Sequence, residues 1–345
     1  MLTAFVLSLA QIGTLGRECF GKAKRGINLR LFKFTSMTEG FISFNYEGEE
    51  YQTWYRVIGN LDSPTRTPLV VAHGGPGQSC LVLAEMPVSR ITKLGLSYDY
   101  LLPLSDLATR FSIPVIFYDQ IGNSRSTYLP AKPPSFWTID LFIDELVNLL
   151  EHFHIQDGFD FLGHSWGGIL GLEFEVRRQP EGLRHLVLTN SLADMGMWNA
   201  STGELSKAFP DDVQKGLAVG VTDMEAYGKA LKMFYKKHGC LVDPWPEELV
   251  YSMNQSISPS ADISVAVAMF TGELRAWSII DRLDRVRVPT FVINGRADIA
   301  QDFVVEPLFR GIRQVKWVTM EKSSHTPMWE ERERYMDLVN GFLSV

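Results

Sequence analysis

Six short apolar runs recur along the chain, and each ends in glycine or small polar residues. They are TPLVVAHGG (67–75), IPVIFYDQIG (113–122), FDFLGHSWGG (159–168), LRHLVLTNS (183–191), VPTFVINGRAD (288–298) and VKWVTMEKSSH (315–325). Stretches with helical spacing lie between them, notably 137–153 and 166–178. Strands that are apolar on both faces and alternate with helices predict a mostly parallel, doubly wound α/β sheet, with function at the carboxyl ends of the strands.

The alternation starts after an N-terminal strand pair and is interrupted once. FISFNYEG and YQTWYRVIG, joined by a glycine-containing turn, predict that pair. From 195 to 283 the chain is rich in Met, Trp, Tyr, Lys and Glu at helical spacing, and it has no clear buried strand. The sequence therefore predicts an α/β core made of 37–194 and 284–345, with a helical cap inserted at 195–283.

Residues 1–36 differ from the rest of the chain in charge. They carry six lysine and arginine residues against one glutamate, whereas the whole chain has a net charge of −7. Their apolar start is too short to span a bilayer and lacks the basic residues that precede the core of a secretory signal. We interpret the segment as an appended or disordered extension, with Met37 as a candidate start. A basic organelle-targeting segment is the alternative.

The net charge and the cysteine content indicate which partners and which cellular compartment to expect. A mildly acidic chain has no general reason to bind nucleic acid or anionic membranes, so we expect neither partner and no stable membrane insertion. Cys19, Cys80 and Cys240 are far apart and show neither a disulfide framework nor metal-ligand spacing. These features predict a reducing compartment, and we expect a cytoplasmic location.

GHSWGG (163–168) places Ser165 between two glycines, one two residues before it and one two residues after it. This spacing, after an apolar run and before a helical pattern, is typical of a nucleophile elbow, a tight turn that exposes the serine hydroxyl. A helix that begins at Trp166 would aim its positive end at a developing oxyanion. Ser165 is therefore the predicted nucleophile, and the Trp166 amide is a predicted oxyanion donor.

A serine hydroxyl needs a base that takes its proton. His325 follows the last apolar run, so it is expected at the same sheet edge as Ser165. In this arrangement the orienting acid falls between serine and histidine in the chain, where Asp298 ends its strand and Asp302 is the nearby alternative. The remaining histidines are interpreted as surface, cap or packing residues: His73, His152, His154, His164, His185 and His238.

HGGPG (73–77) is a candidate for the loop that stabilises the oxyanion in acyl transfer. The reaction creates an oxyanion, which needs two backbone N–H donors, and one of them usually comes from a glycine-rich loop after an earlier strand. Gly74 and Gly75 lack a Cβ, so their amides can approach a substrate closely, and Pro76 would stiffen the turn. We predict Gly75 as the second donor, with Gly74 as the alternative.

The motifs HGGPG, YDQIGNSRS (118–126) and GHSWGG occur in that order, followed by GRADIAQD and SSHTPMWE. In this combination the sequence resembles the proline iminopeptidases, serine peptidases of the α/β-hydrolase fold, from about Thr38 to the C-terminus. The resemblance implies that fold, with Ser165 as nucleophile, Asp298 as acid and His325 as base. It also implies release of an N-terminal residue, often proline, from short peptides or amides, with no metal or organic cofactor.

The sequence departs from this family where the substrate's amino group is held. Family peptidases use cap glutamates, one of them shortly before a TGxLKxW stretch; here TGELRAW (271–277) is present, but SADISVAVAMF (260–270) has no glutamate. We predict Trp277, Glu273 and Met269 as substrate-binding residues. Other candidate amine anchors are Glu204, Glu247 and Glu248. A cap lined by Val265, Val267, Met269 and Phe270 would instead suit an apolar or uncharged group.

Two functions are consistent with these patterns. The first is a serine hydrolase that resembles proline iminopeptidase and cleaves an N-terminal proline or other small residue from a small-molecule or short peptide substrate, through an acyl-enzyme. The alternative is an ester, thioester or amide hydrolase of a metabolic pathway whose substrate has no free amine. The serine at 165 argues against a dehalogenase or epoxide hydrolase, which would place aspartate there. The intact catalytic positions argue against a binding protein on the same scaffold.

Overall fold

The structure, a computed structural model, describes residues 36–75, 97–257 and 263–345, all within one compact unit, Thr35–Val345. Predictions about residues 1–35, Pro76, Cys19 and Cys80 lie outside the described residues and stay predictions. Cys240 is buried and its thiol is free. None of the helices in the described ranges is long and apolar enough to cross a bilayer.

The strands of the described residues form one eight-stranded sheet in the order β1-β2-β4-β3-β5-β6-β7-β8. β1 pairs antiparallel with β2, and β2 with β4, whereas all later neighbours are parallel. This arrangement confirms the predicted mostly parallel sheet. The strands are β1 (Met37–Tyr46), β2 (Glu49–Ile58), β3 (Leu69–Ala72), β4 (Val115–Asp119), β5 (Phe159–His164), β6 (Leu183–Thr189), β7 (Thr290–Gly295) and β8 (Val315–Met320).

The order of the central strands fixes where a ligand can bind. After β3 the chain adds β4 on one side, and it then returns to add β5 on the other side of β3. At such a reversal the loops that leave the carboxyl ends of the two strands diverge, and a crevice opens between them. The predicted oxyanion loop follows β3 and the predicted nucleophile follows β5, so both lie at this reversal point.

In the described residues, helices lie between the parallel strands, and five of them belong to the insertion between β6 and β7. α3 is buried along nearly its whole length, in keeping with its central position behind β5. The helices are α1 (Ser105–Phe111), α2 (Ile139–His152), α3 (Trp166–Arg178), α4 (Met195–Ser206), α5 (Asp211–Val219), α6 (Met224–His238), α7 (Glu247–Ile257), α8 (Ser264–Thr271), α9 (Asp302–Gly311), α10 (Pro327–Glu330) and α11 (Arg332–Phe342).

The insertion leaves and rejoins the core at adjacent points. Asp194 and Ser278 form an antiparallel bridge. Its flanks are held by hydrogen bonds from the Met195 amide to the Trp277 carbonyl (2.9 Å) and from the Ile279 amide to the Ala193 carbonyl (3.0 Å). The inserted helices α4 to α8, called the cap below, therefore begin and end beside one short piece of paired backbone. The bounds 195–283 expected for the cap stay a prediction.

A buried ion pair fastens this base to α3. Glu173 is fully buried and accepts hydrogen bonds from the Trp277 indole (2.7 Å) and from the Arg282 guanidinium (2.8 and 3.0 Å). Arg177, one turn further along α3, also donates to this carboxylate (2.7 Å). A buried carboxylate without such partners would be strongly destabilising, so the cluster holds the return segment of the cap in one place.

Glu145 of α2 is a second buried carboxyl group, and its environment differs from that of Glu173. It accepts hydrogen bonds from the Thr53 hydroxyl (2.5 Å) and from the Ile121 amide (2.9 and 3.0 Å). Burial raises the pKa of Glu145 to about 8, although these hydrogen bonds lower it in part. The folded chain therefore keeps a proton on this carboxyl group at neutral pH.

Replacing Glu145 with glutamine should flatten the pH dependence of stability. Between the ordinary pKa of 4.5 and about 8, the folded wild type holds a proton that the unfolded chain has lost, so its free energy of unfolding falls as pH rises. This group alone contributes a slope of up to about 1.4 kcal/mol per pH unit. Glutamine has no such proton and should remove that slope. Urea midpoints measured across the window test this. Glu151→Gln, the same substitution at an exposed position of the same helix, should keep the wild-type slope. Equal slopes for the wild type and Glu145→Gln would contradict the prediction.

Candidate active site

Ser165 occupies the turn between β5 and α3 with φ +54° and ψ −117°, a conformation that non-glycine residues rarely adopt. The flanking glycines make this turn possible. A Cβ on Gly163 would lie 2.1 Å from the Gly167 carbonyl oxygen, and one on Gly167 would lie 2.2 Å from the Ala72 carbonyl oxygen. The spacing in GHSWGG therefore has a steric cause, and the local geometry matches a nucleophile elbow.

Asp298 and His325 are in direct contact. His325 Nδ1 lies 2.6 Å from Asp298 Oδ1, and the Asp298 side chain is fully buried. Asp302, the alternative acid, begins α9 and is bound instead by Arg296 (2.6 Å) and Asn294 (3.1 Å). The structure thus brings together the acid and base favoured from the sequence. Ser165 and His325 line the same cavity.

Asn190, which follows β6, was missed by the sequence reasoning. Its side-chain nitrogen donates to Asp298 Oδ2 (2.5 Å) and to the Ser324 carbonyl (3.0 Å). It therefore holds both the acid and the residue before His325. Its φ of +52° is unusual for a non-glycine residue, although asparagine tolerates it better than most. The only available signal was a polar residue at a strand end, at the sheet edge where function was expected.

The two predicted glycine donors differ in their hydrogen bonding. The Gly74 amide donates to the Tyr100 hydroxyl (2.6 Å), so it is not available to a substrate. Gly75 lines the cavity with φ +115°, a conformation suited to glycine. Trp166 is the first residue of α3, so its amide has no acceptor within the helix. The geometry favours Gly75 and Trp166 as the donors, and the alternative of Gly74 fails because Tyr100 already binds its amide.

The YDQ part of the middle motif supports the oxyanion loop. The Gln120 side chain donates to the His73 carbonyl (3.0 Å) and accepts from the Trp166 indole (2.8 Å). The Gln120 amide donates to His73 Nε2 (3.0 Å), and His73 Nδ1 donates to the Gly74 carbonyl (2.7 Å). Burial lowers the pKa of His73 to about 4, so the ring stays neutral and can make both bonds. One glutamine thus ties the loop after β3 to the start of α3.

The rest of the motif includes Arg125, whose ion pairs with Asp119 and Asp99 we call the Arg125 clamp. Arg125 bridges Asp119 (2.7 Å) and Asp99 (2.7 and 2.8 Å). Burial raises the pKa of Asp119 to about 6, while the Arg125 charge opposes that shift. Asp119 also accepts a hydrogen bond from the Tyr98 amide (2.9 Å). The clamp fixes the 3₁₀ helix at Tyr98–Leu104, which carries Tyr100, against the end of β4.

The cavity around Ser165 holds about 830 Å³ of empty space, part of which is open to solvent. Its lining among the described residues is mostly apolar and aromatic and contains no Asp, Glu, Lys or Arg side chain. Cap residues supply most of the apolar and aromatic side chains of the lining. They include Met195, Trp198, Tyr235, Trp245, Leu249, Met253, Phe270 and Leu274.

The predicted substrate-binding residues do not line this cavity. Glu273 accepts a hydrogen bond from the Ile139 amide (2.7 Å) at the start of α2. Trp277 is bound to Glu173 at the base of the cap, and Met269 is fully buried in the hydrophobic core. Neighbouring residues of the same segment, Phe270 and Leu274, reach the cavity instead. The segment does reach the cavity, but the sequence could not give the direction in which each of its side chains points.

The cap also contacts the loop that carries His325. The Thr326 hydroxyl donates to the Gly239 carbonyl (3.0 Å), and the Leu241 amide donates to Glu330 (2.7 Å). Residues 239–241 are therefore tied directly to the chain just after the predicted base. Within the part of the chain that the structure describes, no group of three or more His, Cys, Asp or Glu side chains is arranged to hold a metal ion.

Comparisons with known proteins agree with this architecture. A model of the alpha/beta hydrolase family matches residues 69–338. The proline iminopeptidase of Lactobacillus helveticus is 26% identical over 300 residues, 85% of this chain and 94% of that protein. The one from Saccharolobus solfataricus is 28% identical over 300 residues, with 85% and 88% covered.

Solved structures give the same result. The crystal structure of VinJ aligns with a TM-score of 0.75 at 35% identity, over 88% of this chain and 98% of that one. The proline iminopeptidase of Mycobacterium smegmatis aligns with a TM-score of 0.69 at 30% identity, over 89% and 98%. The similarity therefore spans the core and the cap of these proteins.

Proposed function

This chain belongs to the α/β hydrolase family, among relatives of the proline iminopeptidases, and from that premise we propose that it is a serine hydrolase that works through an acyl-enzyme. One observation carries the proposal. The Asp298–His325 contact of 2.6 Å lies at the same cavity as Ser165, which is held in the strained turn of a nucleophile elbow. Strain of this kind persists only where the surrounding structure enforces it, and it is concentrated at functional sites.

In the proposed reaction, Ser165 Oγ attacks the substrate carbonyl carbon while His325 takes the hydroxyl proton. Asp298 accepts a hydrogen bond from His325 Nδ1–H, which leaves Nε2 unprotonated to act as the base, and its negative charge stabilises the imidazolium. The amides of Gly75 and Trp166 hold the oxyanion. Collapse of the intermediate expels the leaving group, which takes the proton from His325, and a water molecule activated in the same way then releases the acid.

Proline iminopeptidase activity is the first candidate for the physiological reaction. The relatives named above support it, since they cover nearly the whole described core and cap. The cavity is also compatible with a compact ring, because Trp198, Phe270 and Leu274 offer apolar surface beside Ser165. The substrate would be a short peptide or an amide whose N-terminal residue is proline or another small residue.

The second candidate is hydrolysis of an ester, thioester or amide whose acyl part has no free amine. The cavity lining favours it, since the described residues provide no carboxylate there to pair with an ammonium group. Glu273 binds the start of α2, and neither Glu204 nor Glu247 lies on the lining. An unpaired ammonium group in an apolar cavity loses its hydration without compensation, which is costly.

A rate panel separates the two candidates. It would compare a prolyl arylamide with a free amine, its N-acetylated form and a short-chain aryl ester, each with wild type and with Ser165→Ala. Cleavage of the free prolyl amide alone would establish the peptidase. Equal or faster cleavage of the acetylated amide and the ester would establish the second candidate. Turnover that persists undiminished in Ser165→Ala would overturn the serine mechanism itself.

A further inference from the structure

A chain of buried hydrogen bonds joins the oxyanion loop to the predicted catalytic histidine. The Gly74 amide donates to the Tyr100 hydroxyl (2.6 Å), which lies 2.8 Å from His164 Nδ1. His164 Nε2 lies 2.7 Å from the His325 carbonyl oxygen. All four residues are buried or nearly so. None of the steps above uses Tyr100 or the His164 ring, although both lie within the site.

The chemistry of the groups fixes the direction of every proton in this chain. The His325 carbonyl can only accept, so His164 carries its proton on Nε2. Burial holds the pKa of His164 well below its usual value, so the ring is neutral and Nδ1 must accept. Tyr100 therefore donates to His164, and its oxygen is left to accept from the Gly74 amide. A single arrangement satisfies each donor and acceptor, which makes the chain rigid.

We propose that Tyr100 is a positioning residue that holds the oxyanion loop and the His325 backbone in register through His164; this inference rests on the proposed serine hydrolase function. Because the Gly74 amide already donates to the Tyr100 hydroxyl, Gly75 is left as the candidate oxyanion donor of this loop. His164 directly precedes Ser165, and its ring lies edge-on to that of His325, with centroids 4.7 Å apart. The chain thus touches all three parts of the site.

Tyr100 is itself held from two directions, as a positioning residue must be. Its amide donates to the Ser252 hydroxyl of the cap (3.2 Å), and the Trp329 indole donates to its carbonyl (2.7 Å). The Arg125 clamp fixes the 3₁₀ helix from the other side, through Asp99. These contacts explain what the middle motif, far from Ser165 in sequence, contributes to the site.

The test compares Tyr100→Phe with Tyr98→Phe. Both changes remove one buried hydroxyl from the same 3₁₀ helix and keep the ring, but the Tyr98 hydroxyl has no hydrogen-bond partner among the described residues. The first readout is the rate at which a fluorophosphonate probe labels Ser165, which needs no knowledge of the substrate. The second is kcat and KM on the best substrate of the panel.

Tyr100→Phe should slow labelling and lower kcat by about 10- to 100-fold, the scale expected for misplacing reacting groups by about an ångström. KM should stay close to the wild-type value, because phenylalanine keeps the ring that Tyr100 presents to the cavity and loses only a hydroxyl that is bound to Gly74 and His164. Tyr98→Phe should match wild type. Wild-type labelling by Tyr100→Phe would overturn the proposal, as would equal losses in both variants. Wild type that is not labelled at Ser165 would overturn the proposed function and this inference with it.

A double-variant comparison gives an independent readout. If the residues act as one chain, His164→Gln and Tyr100→Phe should each break it, and the double variant should cost little more than the worse single variant. If the losses in labelling rate and kcat of the two single variants add in full in the double variant, the two residues act separately, which would contradict the proposal. Melting temperatures of the three variants identify any loss that comes from unfolding alone.

Discussion

Asp298→Asn should lower kcat by about four orders of magnitude while leaving the fold unchanged. The reason lies in Asn190, whose side-chain nitrogen donates to Asp298 Oδ2. An asparagine at 298 must offer its oxygen to that donor, so its NH₂ group faces His325 Nδ1. His325 then carries its proton on Nε2, the nitrogen that must accept from Ser165. The variant would hold its histidine in the wrong tautomer, and kcat measured on the best panel substrate would show the loss.

The same geometry supplies a control for this prediction. Adding Asn190→Ala to Asp298→Asn removes the donor that fixes the amide orientation, so the asparagine can turn its oxygen back to His325 Nδ1. The double variant should therefore be faster than Asp298→Asn, even though Asn190→Ala alone should slow the wild type by freeing Asp298 and the Ser324 carbonyl. A double variant slower than both single variants would show that the tautomer is not what limits the rate.

Ser165→Ala should reduce turnover by about 10⁶-fold, the scale seen when the nucleophile of a comparable triad is removed. The change deletes only the hydroxyl, so the apolar cavity and the donors remain and substrate affinity should persist. Steady-state rates measure the loss, and binding of the unreacted substrate can be followed by calorimetry. Ser43→Ala, on the exposed side of β1, is the matched control and should retain full activity. A loss of only a few-fold in Ser165→Ala would mean that another residue carries the reaction.

The elements that the sequence predicted well are those whose signals are local. Each buried parallel strand coincides with a short apolar run of the sequence. The turn at Ser165 was indicated by Gly163 and Gly167, where a Cβ would clash with nearby backbone. Asp298 and His325 could be chosen because the carboxyl ends of parallel strands share one edge. This shared edge was enough to expect that the Asp298 and His325 side chains lie close together.

The parts that the sequence did not predict depend on contacts between distant segments. Asn190 and Asp298 are 108 positions apart, and Gly74 and Tyr100 are 26 apart, with no spacing rule that links either pair. Whether Gly74 or Gly75 faces the substrate depends on which amide Tyr100 takes. Glu273 was placed in the right segment, but its direction follows from the packing of that segment against α2, which has no local signal.

The bridge between Asp194 and Ser278 has a consequence for how this protein can change over evolutionary time. Because both ends of the cap are anchored at one point, lengthening or shortening the chain between them costs little in loop-closure free energy, about 0.6 kcal/mol per doubling of length. Helices can thus be exchanged there without moving the strands that carry the reacting groups. The exceptions are the cap positions that bind the core beside the predicted site. The turn at 239–241 binds Thr326 and Glu330, next to the predicted base. Ser252 binds the Tyr100 amide, and Ser201 binds the Ile299 carbonyl. Substrate preference is therefore free to drift elsewhere in the cap, while these positions are expected to vary least.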